Sequence, residues 1–577
     1  MCCGGSWGVG DKMARTAEEI VKIHAQMKTE QEHYTPLKKI CTALSYPMRS
    51  DVWSQYGDDK GKQQGKRIFD PTAAKDLELW SCGIMGYYSP KEQPWFQERF
   101  TDKALMESKV VRKWLQDLDD HFRYTLNRSG SMGVGGYYEA KKMAISDSGG
   151  IGDSYLMIDE DVESGKLMCQ TPHPREFTVR RDFFGRVIEI HREFRKTLAQ
   201  IKDEFGDQAL TRDQKLSLES GKGNNEVTLI HATDRNPEYD PTEEMAKFFK
   251  WRTYFVQTDA SDQTNPGGSI IKSGGYRTLN PIPWSLNRPS HETYGRGVVS
   301  QILIEILTAN YLSRDMLVVS QQAAQPTMIV TSALKHRFTR SPGKTIFTET
   351  EGMSPITRVG DMASKLIDTS GYPFGIDMLE RWQNVIDERF GIPLFLALNM
   401  GDDAAKTAYE VRERKAERIV LMAPFLATLG STTDMELDRV FDIELAAGRA
   451  PEPPEEVLRA TNGQIDIQYI GPLHHMLNQY YGTQNLLESI EYIKAVGEIY
   501  RDSIIVADGD KLLRKLLENN NTPEDIMLDP DEVAEIRAIM AQQQEAQMMA
   551  EIAAKAGQGA AGLGKKIEPD SVLAGVA

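Results

Sequence analysis

The 577-residue chain contains no run of about eighteen uncharged apolar residues, so no part of it is suited to cross a bilayer as a helix. Its beginning lacks a basic segment followed by an apolar one, and a secretory signal is therefore not expected. Cysteine is sparse, with five residues at Cys2, Cys3, Cys41, Cys82 and Cys169. None forms a Cys-x-x-Cys pair and no histidine cluster accompanies them, which excludes the usual zinc spacings and suits reduced thiols in a cytoplasm. Cys2 and Cys3 invite a lipidation reading, but the residue after Met1 is not the glycine that myristoylation requires. Cations are also outnumbered: 68 Lys and Arg face 84 Asp and Glu, a net charge of −16. A protein that grips nucleic acid needs clustered cations to replace counterions, so tight DNA binding is excluded, whereas a conduit that DNA slides past is not.

Catalytic apparatus is missing as well. Gly57-Asp-Asp-Lys-Gly61-Lys62 falls one residue short of the phosphate-loop spacing, and no Ser or Thr follows the lysine. The glycines at 133–136 and 149–152 do not match the dinucleotide pattern. No convincing Gly-x-Ser-x-Gly, His-Glu-x-x-His or pair of acids on one face is found. His474 and His475 read as turn residues, and Asp402 with Asp403 as carboxylates favoured ahead of a helix. No catalytic residue, metal site or cofactor is expected, and the chain is not read as an enzyme.

What is present is an α+β pattern, mostly helical. Apolar spacing predicts helices over 12–45, broken in two at Pro36, from Asp70-Pro71 through Trp80, and over 102–129. Between about 145 and 285, short β-prone segments punctuated by Gly, Pro and Asn predict an antiparallel sheet, interrupted by a helix at 197–205. A long helix over 293–320 and a second over 375–390 flank an irregular stretch. An apolar segment, Gly391 to Gly401, leads to a long helix over 405–447, bent at Pro424 and Gly430. Acidic helices and a Gly/Ala tail expected to be disordered complete the chain.

Three ordered stretches resemble the head-to-tail connector (portal) family of short-tailed bacteriophages, the podoviruses. The first is Arg67-Ile-Phe-Asp-Pro-Thr-Ala-Ala74 with Gly83-Ile-Met-Gly-Tyr-Tyr-Ser-Pro90 and Pro94-Trp-Phe96. The second is Asn280-Pro-Ile-Pro-Trp284 with Tyr294-Gly-Arg-Gly297. The third is Lys406-Thr-Ala-Tyr-Glu-Val-Arg-Glu-Arg414 with Leu421-Met-Ala-Pro424 and Gly448-Arg-Ala-Pro-Glu-Pro453, where Tyr409 stands in place of the family's usual Thr.

The resemblance implies a portal fold assembled as a ring of about twelve subunits. It assigns 12–290 to a wing of helices and antiparallel sheet, 291–320 to stem helix 1, 321–372 to a clip and 373–392 to stem helix 2. It assigns 393–405 to a tunnel loop, 406–465 to a long bent wing helix and connection, 466–556 to a helical crown, and 557–577 to the tail. The implied role is the channel at one capsid vertex of the virion, used for genome packaging and ejection. The implied partners are further copies of the chain, the major capsid protein, the terminase large subunit, a tail adaptor protein and double-stranded DNA passing without sequence preference, with no membrane. The product is expected to be made in the host cytoplasm. An internal virion or scaffold-type structural protein is the alternative.

Two candidate sites follow. The tunnel loop would present Leu394, Phe395, Leu396, Asn399, Met400, Asp402 and Asp403 to the bore, apolar and then acidic with no cation; its rival is burial of Leu394, Phe395 and Leu396 against a neighbouring subunit. Lys335, His336, Arg337, Arg340 and Lys344 form a basic cluster in the clip, either a docking surface or a solvated face.

Overall fold

The computed structural model describes residues 15–50, 68–100, 102, 105–106, 108–130, 133–239, 249–258, 268–324, 328–330, 363–365, 372–393, 395, 423–459, 465–469, 490, 493–494, 509–519 and 530–563. They fall into two units, residues 1–477 and 478–577.

Within the first unit, helix α1 (Ala17–Ser45) starts at a capping box: Glu19 N–H donates to Thr16 Oγ1 and Thr16 N–H to the Glu19 carboxylate. Pro36 was expected to split this helix and does not. The carbonyl it leaves without an intrahelical partner belongs to Glu32, which is exposed and open to solvent, while buried Gln31 and Lys38 hold the turns on either side. After the short α2 (Pro47–Ser50), α3 (Thr72–Tyr88) begins where Asp70 Oδ1 accepts both the N–H and the hydroxyl of Thr72. Helix α4 (Lys109–Asn127) buries Val111, Leu115, Leu118, Phe122 and Leu126, a stripe at helical spacing. Helix α5 (Tyr137–Gly150) completes the helical part of this region.

The expected antiparallel structure is two sheets rather than one. A three-stranded sheet runs β3 (Lys166–Gln170), β2 (Asp153–Asp161), β9 (Ile282–Ser285). A five-stranded sheet takes β4 (Phe177–Arg181), β5 (Val187–Thr197), β6 (Glu226–Arg235), β7 (Trp251–Gln257) and β8 (Ser269–Tyr276) in chain order, each antiparallel to the next. Two short helices, α6 (Leu198–Phe205) and α7 (Arg212–Glu219), fill the β5–β6 connection, each with a Thr/Gln capping box. Helix α1 crosses this sheet: Ile20 packs with Ile230, Ala232, Tyr254 and Val256, and Gln31 donates to the Phe177 carbonyl at 2.7 Å.

The second half supplies α8 (Val298–Gln301) and α9 (Leu303–Ala324), parted at Ile302 where one long helix was expected. Strands β10 (Met328–Val330) and β11 (Ala363–Lys365) follow, then α10 (Tyr372–Phe390), α11 (Ala423–Ala446), which contains both Pro424 and Gly430, and α12 (Glu455–Arg459). Residues 466–469, expected at the start of a helical crown, belong instead to strand β12 (Ile465–Tyr469), paired antiparallel with β1 (Phe96–Phe100). The apolar/polar alternation of Ile465-Asp-Ile-Gln-Tyr469 has the two-residue period of a strand. The largest core joins α3, α4, α5, the three-stranded sheet, α9, α10 and α11 around Trp80, Tyr88, Trp95, Phe122 and Tyr137.

The second unit contains α13 (Gly509–Asn519) and α14 (Pro530–Leu563), linked by a bidentate pair of Arg537 with Asp510 at 2.5 and 2.6 Å. Helix α14 runs into the Gly/Ala segment expected to be disordered; five alanines between Ala553 and Ala561 outweigh the glycines among them. Among the described residues, no helix is long and apolar enough to cross a membrane.

Candidate functional site

Helices α9 and α10 pack side by side, and the strands adjoining them, β10 and β11, pair antiparallel with Met328 opposite Lys365 and Val330 opposite Ala363. The chain between Val330 and Ala363 therefore leaves and returns at one place. Gly375 gives Met316 room between the helices: a β-carbon there would meet the Met316 thioether, and that side chain would have to move.

A polar knot fixes the pair to α3. Asn310 Oδ1 accepts the N–H groups of Phe69 at 2.7 Å and Asp70 at 3.2 Å, and Asp70 Oδ1 accepts the Gln383 amide at 3.1 Å. Three elements distant in sequence thus meet on groups that would otherwise be orphaned at the α3 N-terminus. One turn on, Lys75 Nζ lies 3.2 Å from Asp76 and 3.5 Å from Asp387 of α10. Burial, aided by the neighbouring Asp387 carboxylate, pushes Asp76 up to about 7, with Lys75 opposing.

Helix α10 ends at Gly391, whose φ of +71° is the left-handed conformation that favours glycine after a helix. Phe390, Ile392 and Phe395 then turn into the core. Phe395 lies over Gly83 and stacks on Tyr87, with ring centroids 6.3 Å apart; a β-carbon on Gly83 would come within 2.7 Å of the ring. Of the proposed tunnel-loop residues, Phe395 is therefore seated in protein. Leu394, Leu396, Asn399, Met400, Asp402 and Asp403 lie outside the described residues, as do Lys335, His336, Arg337, Arg340 and Lys344.

The chain re-enters the core through α11, held by buried charge. Lys141 and Glu436, both fully buried, are paired at 3.1 Å. Lys141 also donates to Tyr137 Oη at 2.8 Å and Thr433 Oγ1 at 3.2 Å, and lies 4.6 Å from the Trp95 ring centroid. Glu436 accepts the Tyr137 hydroxyl at 2.6 Å and the Trp284 indole N–H at 2.9 Å. Burial lowers the Lys141 pKa while Glu436 raises it. Arg439 donates to the Ile158 carbonyl and Asp159, and Glu444 binds His121 and Arg449.

Helix α9 buries Ile306 and Ala309 on one side, yet Ile304, Tyr311 and Val318, spaced seven apart, are 76%, 53% and 46% exposed on the other. Exposed apolar residues repeating along one face of a helix are the kind of surface that another surface normally covers.

The sequence matches the family model of the bacteriophage head to tail connecting protein over residues 17–528. The chain belongs to that family. This connector protein is 22% identical over 549 residues to the "Probable portal protein" of Bordetella phage BPP-1, covering 93% of this chain and 94% of that one. It is 22% identical over 567 residues to the portal protein of Salmonella phage epsilon15, covering 95% of each. A solved structure titled "Neck of empty GTA particle computed with C6 symmetry" aligns over 77% of this connector and 90% of its own chain, with 11% identity and a TM-score of 0.35.

Sequence reasoning did not find the Asn310–Asp70–Gln383 knot, the Gly83 seat or the Lys141–Glu436 pair. Asp70 was legible as a helix cap, and its partners on α9 and α10 had no local signal. Among the described residues, no cluster of His, Cys, Asp and Glu could hold a metal ion.

Proposed function

We propose that this connector protein is a subunit of the ring-shaped portal at one capsid vertex, a virion component through which double-stranded DNA is packaged and ejected. Family membership over most of the chain supports the portal reading, and one structural observation carries the ring: the uncovered apolar stripe of α9, which the chain itself leaves in solvent. In this reading α9 and α10 form the stem, the segment between them the clip, and residues 393–405 the tunnel loop, with Phe395 as its anchor. The ring has about twelve copies. It sits against the major capsid protein, and its clip, through Lys335, His336, Arg337, Arg340 and Lys344, docks first the terminase large subunit and then the tail adaptor. The chain supplies no chemistry of its own; net charge −16 and a loop without cations suit a bore that DNA passes without adhering.

Negative-stain imaging of the purified full chain, with its mass in solution, tests this reading. Closed rings with a central hole are expected. Monomers or open filaments at all concentrations would refute the ring and favour an internal structural protein.

A further inference from the structure

We propose that the tip of the β4–β5 hairpin is a plug that each copy of this chain inserts against the next copy; this rests on the ring reading above. Phe183 and Phe184 are 97% and 79% exposed at the tip. Two adjacent phenylalanines in water are unusual, since each ring normally contributes a large buried area.

The turn that displays them is built to hold still. Asp182 N–H donates to the Arg186 carbonyl at 2.9 Å and Gly185 N–H to the Asp182 carbonyl at 2.9 Å. Gly185 has φ +85°, so Phe183, Phe184 and Gly185 make a three-residue hairpin loop with its glycine in the left-handed region. Asp182 Oδ1 accepts the N–H of Phe184 at 3.0 Å and of Arg186 at 2.8 Å, and Oδ2 takes Arg186 Nε at 2.7 Å. From beneath, Arg181 donates to the Gly185 carbonyl, the Thr293 carbonyl and Ser285 Oγ. The rings meet edge to face, 5.4 Å apart at 87°. An aromatic pair ordered before docking loses little freedom on docking, which is the behaviour of an interface anchor.

Charge identifies the occupant. The side chains of Arg186 and Arg180 are 69% and 46% exposed, whereas their partners Asp182 and Glu189 are 19% and 0% exposed. The tip therefore wears a cationic collar on a chain of net charge −16. Two such collars repel, which disfavours tip-to-tip pairing, whereas the net negative charge of another copy attracts one. Contact between unlike surfaces of identical chains is the head-to-tail kind that closes rings. Arg181 also ties the tip to residues 285–293, the lead-in to α8 and α9, so in a ring the tip lies at the root of the stem.

The test is the full chain carrying F183S and F184S together, compared with wild type by solution mass and imaging. Because both rings are exposed, the thermal unfolding midpoint of the dilute subunit should not move, while the concentration needed for ring closure should rise roughly ten-fold or more. F183L with F184L should restore closure in part. Unchanged ring closure in the serine variant overturns the proposal, as does a variant that closes normally but is no longer incorporated into heads, which would assign the tip to the shell protein. A wild-type chain that never closes refutes the ring reading itself, and the plug with it.

Discussion

Lys141→Met removes one partner of a charge pair that has no access to water. Glu436 would keep the Tyr137 hydroxyl and the Trp284 indole, two neutral donors for a buried carboxylate. Stranding one member of such a pair costs about 3–5 kcal/mol, a large share of the stability of any domain. The penalty belongs to the stranded charge, so Glu436→Gln in the same chain should return more than half of it: glutamine still accepts from Trp284 and is neutral. The double mutant should be clearly more stable than Lys141→Met alone, a coupling that additive effects cannot produce. Urea midpoints of the wild type, both single variants and the double variant measure this, provided the slope of unfolding is unchanged. A loss below about 1 kcal/mol for Lys141→Met, or a double variant no better than the single, would refute a stability role for charge pairing at this site.

Gly83→Ala should displace Phe395, since the new β-carbon would lie 2.7 Å from the ring; a net cost of about 1–2 kcal/mol is expected after the helical gain from alanine, with restored fit in the Gly83→Ala/Phe395→Leu double variant. Burial, with Asp119 and Asp438 nearby, pushes Glu98 up to about 9, so the folded chain holds a proton that the unfolded chain releases near its ordinary value of 4.5. Stability from this group therefore falls as pH rises between those values, by at most about 1.4 kcal/mol per unit, and Glu98→Gln should flatten the urea midpoint between pH 7 and 9. Reversing Arg337 and Arg340 to Glu should leave rings intact and weaken docking of the terminase and the adaptor; equal binding of both at physiological salt would make the cluster a solvated face. Substituting Asn399 and Asp402 with Lys should slow packaging without impairing ring assembly, and normal packaging rates would show that the loop does not meet DNA.

Helices α3, α4 and α6 were legible because caps and apolar spacing are local: Asp70 and Thr197 announce their helices within four residues. Strand β12 was missed because its partner, Phe96–Phe100, lies in a distant part of the chain and only pairing distinguishes it from the helices that follow. Pro36 and the alanines after Ala553 show the limit of reading breakers one at a time, since exposure at Glu32 and summed alanine propensity decided both. Of the candidate site, sequence order placed two helices around an insertion and an apolar turn after the second, and the structure has α9, α10 and Phe395 in that order. What holds them was invisible, because Asn310, Gln383, Gly83 and Glu436 have meaning only through residues far away in the chain.

The two sides of the segment between Phe395 and Ala423 are fastened by different physics. Upstream, Phe395 rests on a glycine and a tyrosine, a contact whose strength follows the solvent and slackens with cold or chaotropic ions. Downstream, α11 is fixed by Glu436 paired with Lys141 in a place that mobile ions do not enter, so screening that dissolves surface pairs leaves it in force. A pull along the chain in a concentrated chaotropic salt would therefore be answered unequally, with more give at Phe395 than at α11.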